Sequence, residues 1–209
     1  TYIKQNEYTS RQTPSSTRVY ISNCLFKSII SESDGGALLC TSVTYLLIKS
    51  ISFFSCKTRS QIGGAICFSN TNNCQHVLCE LCGYDCYSTS TSYTSGQFAY
   101  IEVSNAASSK NYVNYSSISG CVNENLYSFH MLDLYNGNVC CTSVNVSMNK
   151  CYRRTAFSRE PFADSNYVTC SFLYSSFTDN NATQYNCILF DIYGLNSEIK
   201  SCNIIRNTQ

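Results

Sequence analysis

Charged residues are scarce in this sequence, and neither sign dominates. They make up 13% of the 209 residues, roughly half of the usual share. The 14 basic and 13 acidic side chains nearly cancel and leave a formal net charge of +1. Because nucleic acids and anionic membranes attract proteins through excess positive charge, this balance predicts neither partner. Solubility must depend on Ser, Thr, Asn and Tyr instead.

Tryptophan is absent, and the chain has only two prolines and no long apolar run. A helix that spans a bilayer needs about 18 to 20 apolar residues in succession, so no membrane span is predicted. No segment shows a convincing helical period. Tyr, Ser, Thr and β-branched residues instead form short runs between polar clusters, which favours β-strands. The sequence starts at Thr1 without an initiator Met or a signal peptide, so we expect a processed product or a piece of a longer chain.

Cysteine, by contrast, is abundant, with 15 residues. Cys79 and Cys82 form the only CxxC pair, and no second pair stands at zinc-ribbon spacing. We therefore predict an oxidising compartment, several disulfides and, because the count is odd, one leftover thiol. Three Asn-x-Ser/Thr sequons, at Asn114, Asn145 and Asn181, agree with an extracellular or cell-surface location, where such asparagines carry glycans.

A repeated segment organises the chain. Residues 53–66 read FFSCKTRSQIGGAI, and residues 26–38 read FKSIISESDGGAL, so that Phe53 follows Phe26 by a step of 27. The leading apolar position recurs at Cys79, Ile118, Met148, Phe177 and Ile204. Three residues later stands a Cys or an Asn, at Cys56, Cys82, Cys121, Cys151, Asn180 and Asn207. A period between about 20 and 50 residues indicates a solenoid or a propeller.

Each repeat holds two β-rich runs separated by a polar turn, and the spacing is too short for a propeller blade. Gly-Gly at 35–36 and 63–64 suits a tight corner. We predict an all-β chain that folds as a parallel β-helix of about seven coils with 26–30 residues each, over residues 17–209. Residues 1–16 are expected to be a lead-in segment or an N-terminal cap, and residues 87–96 a loop insertion.

The FxxC or FxxN pattern followed by GGAI resembles the paired repeats of the chlamydial polymorphic membrane proteins. The richness in Cys, Tyr, Ser and Asn is similar to the polymorphic-membrane-protein-like surface proteins of trichomonad protists. The full pair stands only in the first two coils, with FKSI in place of FxxC in the first. The resemblance implies a right-handed parallel β-helix and a surface or secreted role in adhesion or coat formation. It implies no reaction.

Stacked coils would bring equivalent cysteines close together. Cys56 with Cys82, and Cys121 with Cys151, are the candidates for disulfides between coils. The alternative is an inward ladder of free thiols that behave as small apolar side chains.

Four acidic residues stand at nearly one position of the second strand, namely Glu102, Asp133, Asp164 and Asp191. Alternation along a strand puts them on the outer face. Such a column would bind Ca²⁺ or accept hydrogen bonds from a sugar, and with Arg159 it invites comparison with β-helix polysaccharide lyases. The alternative is a solvated strand face. No other cofactor is expected, and His76 and His130, the two histidines, are expected to be strand residues rather than catalytic bases.

The sequence therefore predicts an extracellular structural or adhesive β-helix without catalytic activity, which forms part of a cell surface, coat or filament. Ile204 and Ile205 keep the repeat pattern at the end of the sequence. We expect them to contact a second copy in a head-to-tail stack, or further coils of a longer chain. Host or matrix glycans and proteins are further expected partners, and the crowded tyrosines suit such contacts. The alternative function is a carbohydrate-active enzyme or a glycan-binding module that uses the acidic column.

Overall fold

A computed structural model describes residues 1–124, 127–154, 157–159, 168–184, 187–190 and 197–209. Among these residues there is no helix, and hence none long and apolar enough to cross a membrane. The strands are β1 (Tyr2–Lys4), β2 (Glu7–Tyr8), β3 (Arg18–Lys27), β4 (Ile30–Ser31), β5 (Leu38–Cys40), β6 (Tyr45–Phe54), β7 (Lys57–Thr58), β8 (Ile66–Ser69), β9 (Gln75–Tyr84), β10 (Tyr87–Ser88), β11 (Ala99–Glu102), β12 (Lys110–Asn114), β13 (Ser117–Ser119), β14 (Leu132–Tyr135), β15 (Asn138–Thr142), β16 (Asn145–Ser147), β17 (Lys150–Cys151), β18 (Phe157–Arg159), β19 (Cys170–Leu173), β20 (Ser176–Thr178), β21 (Asn181–Ala182), β22 (Ile188–Phe190), β23 (Ser197–Lys200) and β24 (Asn203–Ile205).

The strands form three faces that follow one another along the chain. Face 1 holds β1–β3, β6, β9, β12, β13, β15, β16, β19, β20, β23 and β24. Face 2 holds β4, β7, β10, β17 and β21, and face 3 holds β5, β8, β11, β14, β18 and β22. All pairings between these strands are parallel. The predicted all-β parallel β-helix is confirmed, and the number of coils differs only in detail.

The core is a set of ladders inside the coils. Strand alternation turns every second side chain inward. In β3 the left-handed φ of Asn23, 52°, shifts this alternation by one residue, so Ile21 before it and Phe26 after it are both completely buried. Ile21 aligns with Ile48 in the next coil, and Phe26 aligns with Phe53, whose ring lies 5.1 Å away in a stacked arrangement. Equivalent residues thus meet across coils, which is why the period of the sequence is visible at all.

The stack begins earlier than the sequence indicates. β1 and β2 pair in register with β3, and the Tyr8 ring stacks on Phe26 at 5.0 Å. Gln12 also bridges Leu38 on face 3. Residues 2–12 therefore form a short first coil, which the predicted start of the β-helix at residue 17 leaves out.

The register also corrects two repeat positions. Phe53 aligns with Gly83, and Ile118 aligns with Val146, so Cys79 and Met148 do not occupy the leading apolar position. At Gly83 the ring of Phe98, which precedes β11 on face 3, fills the interior volume that a side chain would occupy. A Cβ added there would lie 2.3 Å from the Phe98 ring, because that ring fills the interior volume.

The Gly-Gly corner is real, and its first residue needs a left-handed backbone. Gly35, Gly63 and Gly96 have φ between 61° and 68°. At the corresponding corners of the next two coils stand His130 and Arg154, with φ of 52° and 50°. A positive φ is uncommon outside glycine. The sequence therefore does not predict that His130 and Arg154 occupy the corner position that glycine fills in the earlier coils.

The predicted loop insertion at 87–96 is only partly outside the coils. Tyr87 and Ser88 pair with β7 on face 2, and Ser95 bridges Ile62. Thr89 still donates its backbone N–H to the Thr58 carbonyl, whereas residues 90–93 leave the rungs, and Tyr93 is 55% exposed.

Candidate functional site

A column of small polar side chains runs along the corner between faces 1 and 2. We call it the corner ladder, and its members are Cys56, Cys86, Cys121, Asn149, Asn180 and Asn207. Each follows the leading apolar position by three residues. The position is therefore occupied by Cys or Asn, as predicted, but Cys86 and Asn149 stand where the sequence indicated Cys82 and Cys151.

Hydrogen bonds explain why thiols and amides exchange at this position. The backbone N–H of each member donates to the side chain of the next coil, from Cys86 N to Cys121 Sγ at 3.3 Å and from Cys121 N to Asn149 Oδ1 at 3.0 Å. The side chain donates back, as Asn180 Nδ2 does to the Val146 carbonyl at 2.8 Å. Both residue types supply an acceptor and a donor.

This register separates the predicted disulfide pairs. Cys56 is buried and aligns with Cys86, whereas Cys82 is exposed and aligns with Ser52. Cys151 lies two positions beyond the residue that aligns with Cys121, or about 8 Å away for strands 4.8 Å apart, outside the range for a disulfide. All fifteen cysteines lie among the described residues, and no disulfide joins any two of them.

Burial controls the chemistry of the interior thiols. It raises the pKa of Cys67 and of Cys121 to about 12. The thiolate is the reactive form, so these two side chains stay protonated and unreactive at neutral pH.

The acidic column is not continuous. Asp133 aligns with Tyr100, and Glu102 aligns with Tyr135 and Ser69, so each carboxylate lies beside a tyrosine rather than beside the other. The Ser69 hydroxyl donates to Glu102 Oε2 at 2.6 Å. The predicted stacking of Glu102 on Asp133 is therefore wrong. Asp164 and Asp191 lie outside the described residues.

Asp133 belongs to a cavity of about 300 Å³, which we call the tyrosine pocket. Its walls include Ile62, Tyr93, Tyr100 and Tyr135, and its polar members include Ser95, His130 and Asp133. Tyr93 lies at the mouth, since it is 55% exposed, whereas His130 and Asp133 are both 3% exposed and lie deep. A second cavity, of about 500 Å³, shares Tyr100 and Tyr135 and contains Glu102.

The polar members of the pocket do not form a catalytic triad. Ser95 Oγ and Asp133 Oδ2 both lie 3.0 Å from His130 Nδ1. The other ring nitrogen, Nε2, accepts from Arg154 at 3.0 Å. A triad needs the serine and the carboxylate on opposite nitrogens of the ring, so the histidine cannot relay a proton from Ser95. The expectation that His130 is not part of a triad agrees with this geometry.

The Nε2–Arg154 contact fixes the tautomer of His130. Because a guanidinium only donates, Nε2 carries no proton, and the neutral ring donates from Nδ1 to Asp133. Ser95 Oγ also donates to Asp133 Oδ2. The other oxygen, Oδ1, is buried and has no hydrogen-bond partner among the described residues.

The three sequons differ in accessibility. Asn181 is exposed in β21, whereas Asn114 and Asn145 are half-buried. Asn114 Oδ1 accepts from the Thr142 N–H at 3.1 Å, and Asn145 Nδ2 contacts the hydroxyl of Ser147 at 3.3 Å. Asn181 is therefore the best-placed acceptor for a glycan.

Comparisons with known proteins identify no relative. No family model, no curated protein and no solved structure matches the chain. Among the described residues, no group of three or more His, Cys, Asp or Glu side chains could hold a metal ion. The function must therefore be inferred from the geometry of the chain itself.

Proposed function

We propose that this chain is a structural or adhesive β-solenoid of a cell surface, coat or filament. In this role one copy stacks on the next, or on further coils of a longer chain. The observation that carries the proposal is an interior position that opens to solvent at the last described rung. Phe172 and Phe177 are 1% and 0% exposed, but Ile199 and Ile204, aligned with them one coil later, are 47% and 52% exposed.

Ile199 and Ile204 are apolar side chains at positions that are interior in the preceding coil, yet both are exposed. Ile205 beside them is 45% exposed. An open edge of β24 also presents backbone N–H and C=O groups that another strand could pair with. A rung from a neighbouring copy or from adjacent coils would cover both the apolar side chains and the edge.

The outer side of face 1 supports an adhesive role. Tyr20, Leu47 and Val77 form an aligned column there and line a groove of about 410 Å³ together with Arg18. Aromatic and aliphatic side chains rimmed by a cation are typical of protein contact surfaces. The exposed sequon at Asn181 agrees with an extracellular location, as does the resemblance to surface β-helix proteins.

Light scattering of the 209-residue chain over a range of concentrations tests self-stacking. We expect the apparent mass to rise with concentration, and Ile204→Asp to abolish the rise because it places a charge in the contact. Val122→Asp is the matched control, since Val122 is 41% exposed and bridges Lys150 within the stack, away from both end rungs. A chain that stays monomeric at high concentration, or that loses association equally with Val122→Asp, would contradict the stacking proposal.

A further inference from the structure

The tyrosine pocket contains the carboxylate charge of Asp133, whose two hydrogen-bond partners among the described residues are neutral. His130 donates to Asp133 as a neutral ring, and Ser95 donates as a neutral hydroxyl. Arg154, the nearest cation in this network, lies on the far side of the imidazole, at Nε2. The carboxylate is thus held in place by neutral donors, with Oδ1 unengaged among the described residues.

That charge acts on the walls of the pocket. Burial raises the pKa of the Tyr93 and Tyr135 phenols, and the Asp133 carboxylate raises both further. Tyr100 has a raised pKa for the same reasons, with burial first and then Glu102 and Asp133. Arg153 and Arg154 oppose this effect at Tyr93, whereas Glu102 and Asp133 both raise the pKa of Tyr100 and of Tyr135. The phenols of Tyr100 and Tyr135 therefore lie in a negative potential. Such a potential attracts a ligand that brings positive charge.

The shape of the site selects among cations. Asp133 is 3% exposed, and its Oδ1 is shielded from solvent, so a primary ammonium could not reach it to form a direct hydrogen bond. Among the described residues, the outer surface that a ligand meets consists of tyrosine side chains, Ile62 and the amide of Gln61. A quaternary ammonium needs no hydrogen bond, because its methyl groups pack on apolar and aromatic surface while its charge acts at a distance.

We propose that the tyrosine pocket binds a quaternary ammonium group, such as the trimethylammonium of a choline-type molecule. Asp133 supplies the counter-charge, and Tyr93, Tyr100 and Tyr135 supply the aromatic walls. The cavity of about 300 Å³ is large enough for one such group. This binding site adds to the proposed structural role and does not depend on it.

Calorimetric titration of the 209-residue chain with choline and with 3,3-dimethylbutanol tests the assignment. The alcohol has the shape of choline with a neutral tert-butyl group in place of the trimethylammonium. We expect choline to bind about tenfold more tightly. Asp133→Asn should lower choline affinity about tenfold and leave the alcohol unaffected. Glu7→Gln, which removes an exposed carboxylate outside the pocket, should change neither.

Tyr93→Leu provides a variant that does not touch the buried network, since Tyr93 lies at the mouth of the pocket. It should weaken choline binding even if Asp133→Asn fails to fold. Equal binding of choline and the alcohol would overturn the proposal, as would unchanged choline affinity in Tyr93→Leu. Saturable binding of a neutral hexose that competes with choline and survives Asp133→Asn would also overturn it. Sedimentation with phosphatidylcholine vesicles then distinguishes a lipid headgroup from a free small molecule as the source.

Discussion

His76 shows how a single polar side chain is tolerated in the interior of a coil. It is fully buried, aligned with Leu46 and Asn111, and its Nε2 contacts the Val43 carbonyl at 3.3 Å. Nδ1 has no hydrogen-bond partner among the described residues. Burial lowers the pKa of the ring to about 4, so the neutral form persists in the folded chain.

This shift predicts an acid-dependent loss of stability. Above pH 6.5 the ring is neutral in both the folded and the unfolded chain, so its titration does not change the free energy of unfolding. As the pH falls from 6.5 to 4, His76 becomes protonated in the unfolded chain but stays neutral in the folded chain. The free energy of unfolding therefore falls by roughly 3 kcal/mol. Urea titrations at pH 7 and pH 4.5 measure this effect. His76→Leu should reduce the difference between the two pH values.

Gly83 and Met148 mark the limit of sequence reasoning at this scale. The pattern identified Cys56, Cys121, Asn180 and Asn207 correctly, because similar residues recur there. At position 83 the volume is supplied by Phe98 from another strand, so no local pattern reveals it. Met148 precedes a ladder member and mimics the motif, but it is 60% exposed with a φ of 54°.

The corner ladder is the element that ties coil to coil. Cys121 is fully buried and accepts the N–H of Cys86, so removing its side chain leaves a buried donor without a partner. Cys121→Ala should therefore lower the free energy of unfolding by about 1 to 3 kcal/mol. Cys121→Asn should restore most of this loss, because Asn149 performs the same role one coil later.

Denaturant unfolding of both variants provides the measurement, and Cys82→Ala serves as the control because Cys82 is exposed. If Cys121→Asn were as unstable as Cys121→Ala, the contribution of the ladder to stability would depend on side-chain volume rather than on hydrogen bonding. A large effect of Cys82→Ala would point to a disulfide in solution.

The tyrosine pocket was only partly visible in the sequence. Alternation along β14 identified Asp133 as outward-facing. The sequence repeat, however, aligned Asp133 with Glu102, and the observed register places these two carboxylates at different positions. His130 and Arg154 come together because both adopt a left-handed φ at a corner where earlier coils have glycine. Contacts between coils depend on register, and register shifts with every insertion, so they could not be derived from one sequence.

At the scale of the whole molecule, the surface predicts where a glycan would attach. When the chain is expressed through a secretory pathway that adds N-linked glycans, Asn181 should be occupied most fully, because it is exposed. Asn114 should be occupied least, because its side chain already accepts a backbone N–H. Intact mass before and after glycosidase treatment, compared between Asn181→Gln and Asn114→Gln, checks this order. Greater loss of glycan in Asn114→Gln would contradict it.

The repeated hydrogen bonding of the corner ladder has an evolutionary consequence. Each coil offers the same donor to whatever follows it and receives the same donor from whatever precedes it. A duplicated coil that carries Cys or Asn at this position would fit between any two existing coils without redesign of the core. Tandem duplication could therefore change the length of such a protein in single steps, while the surface turns of each copy diverge to bind different molecules.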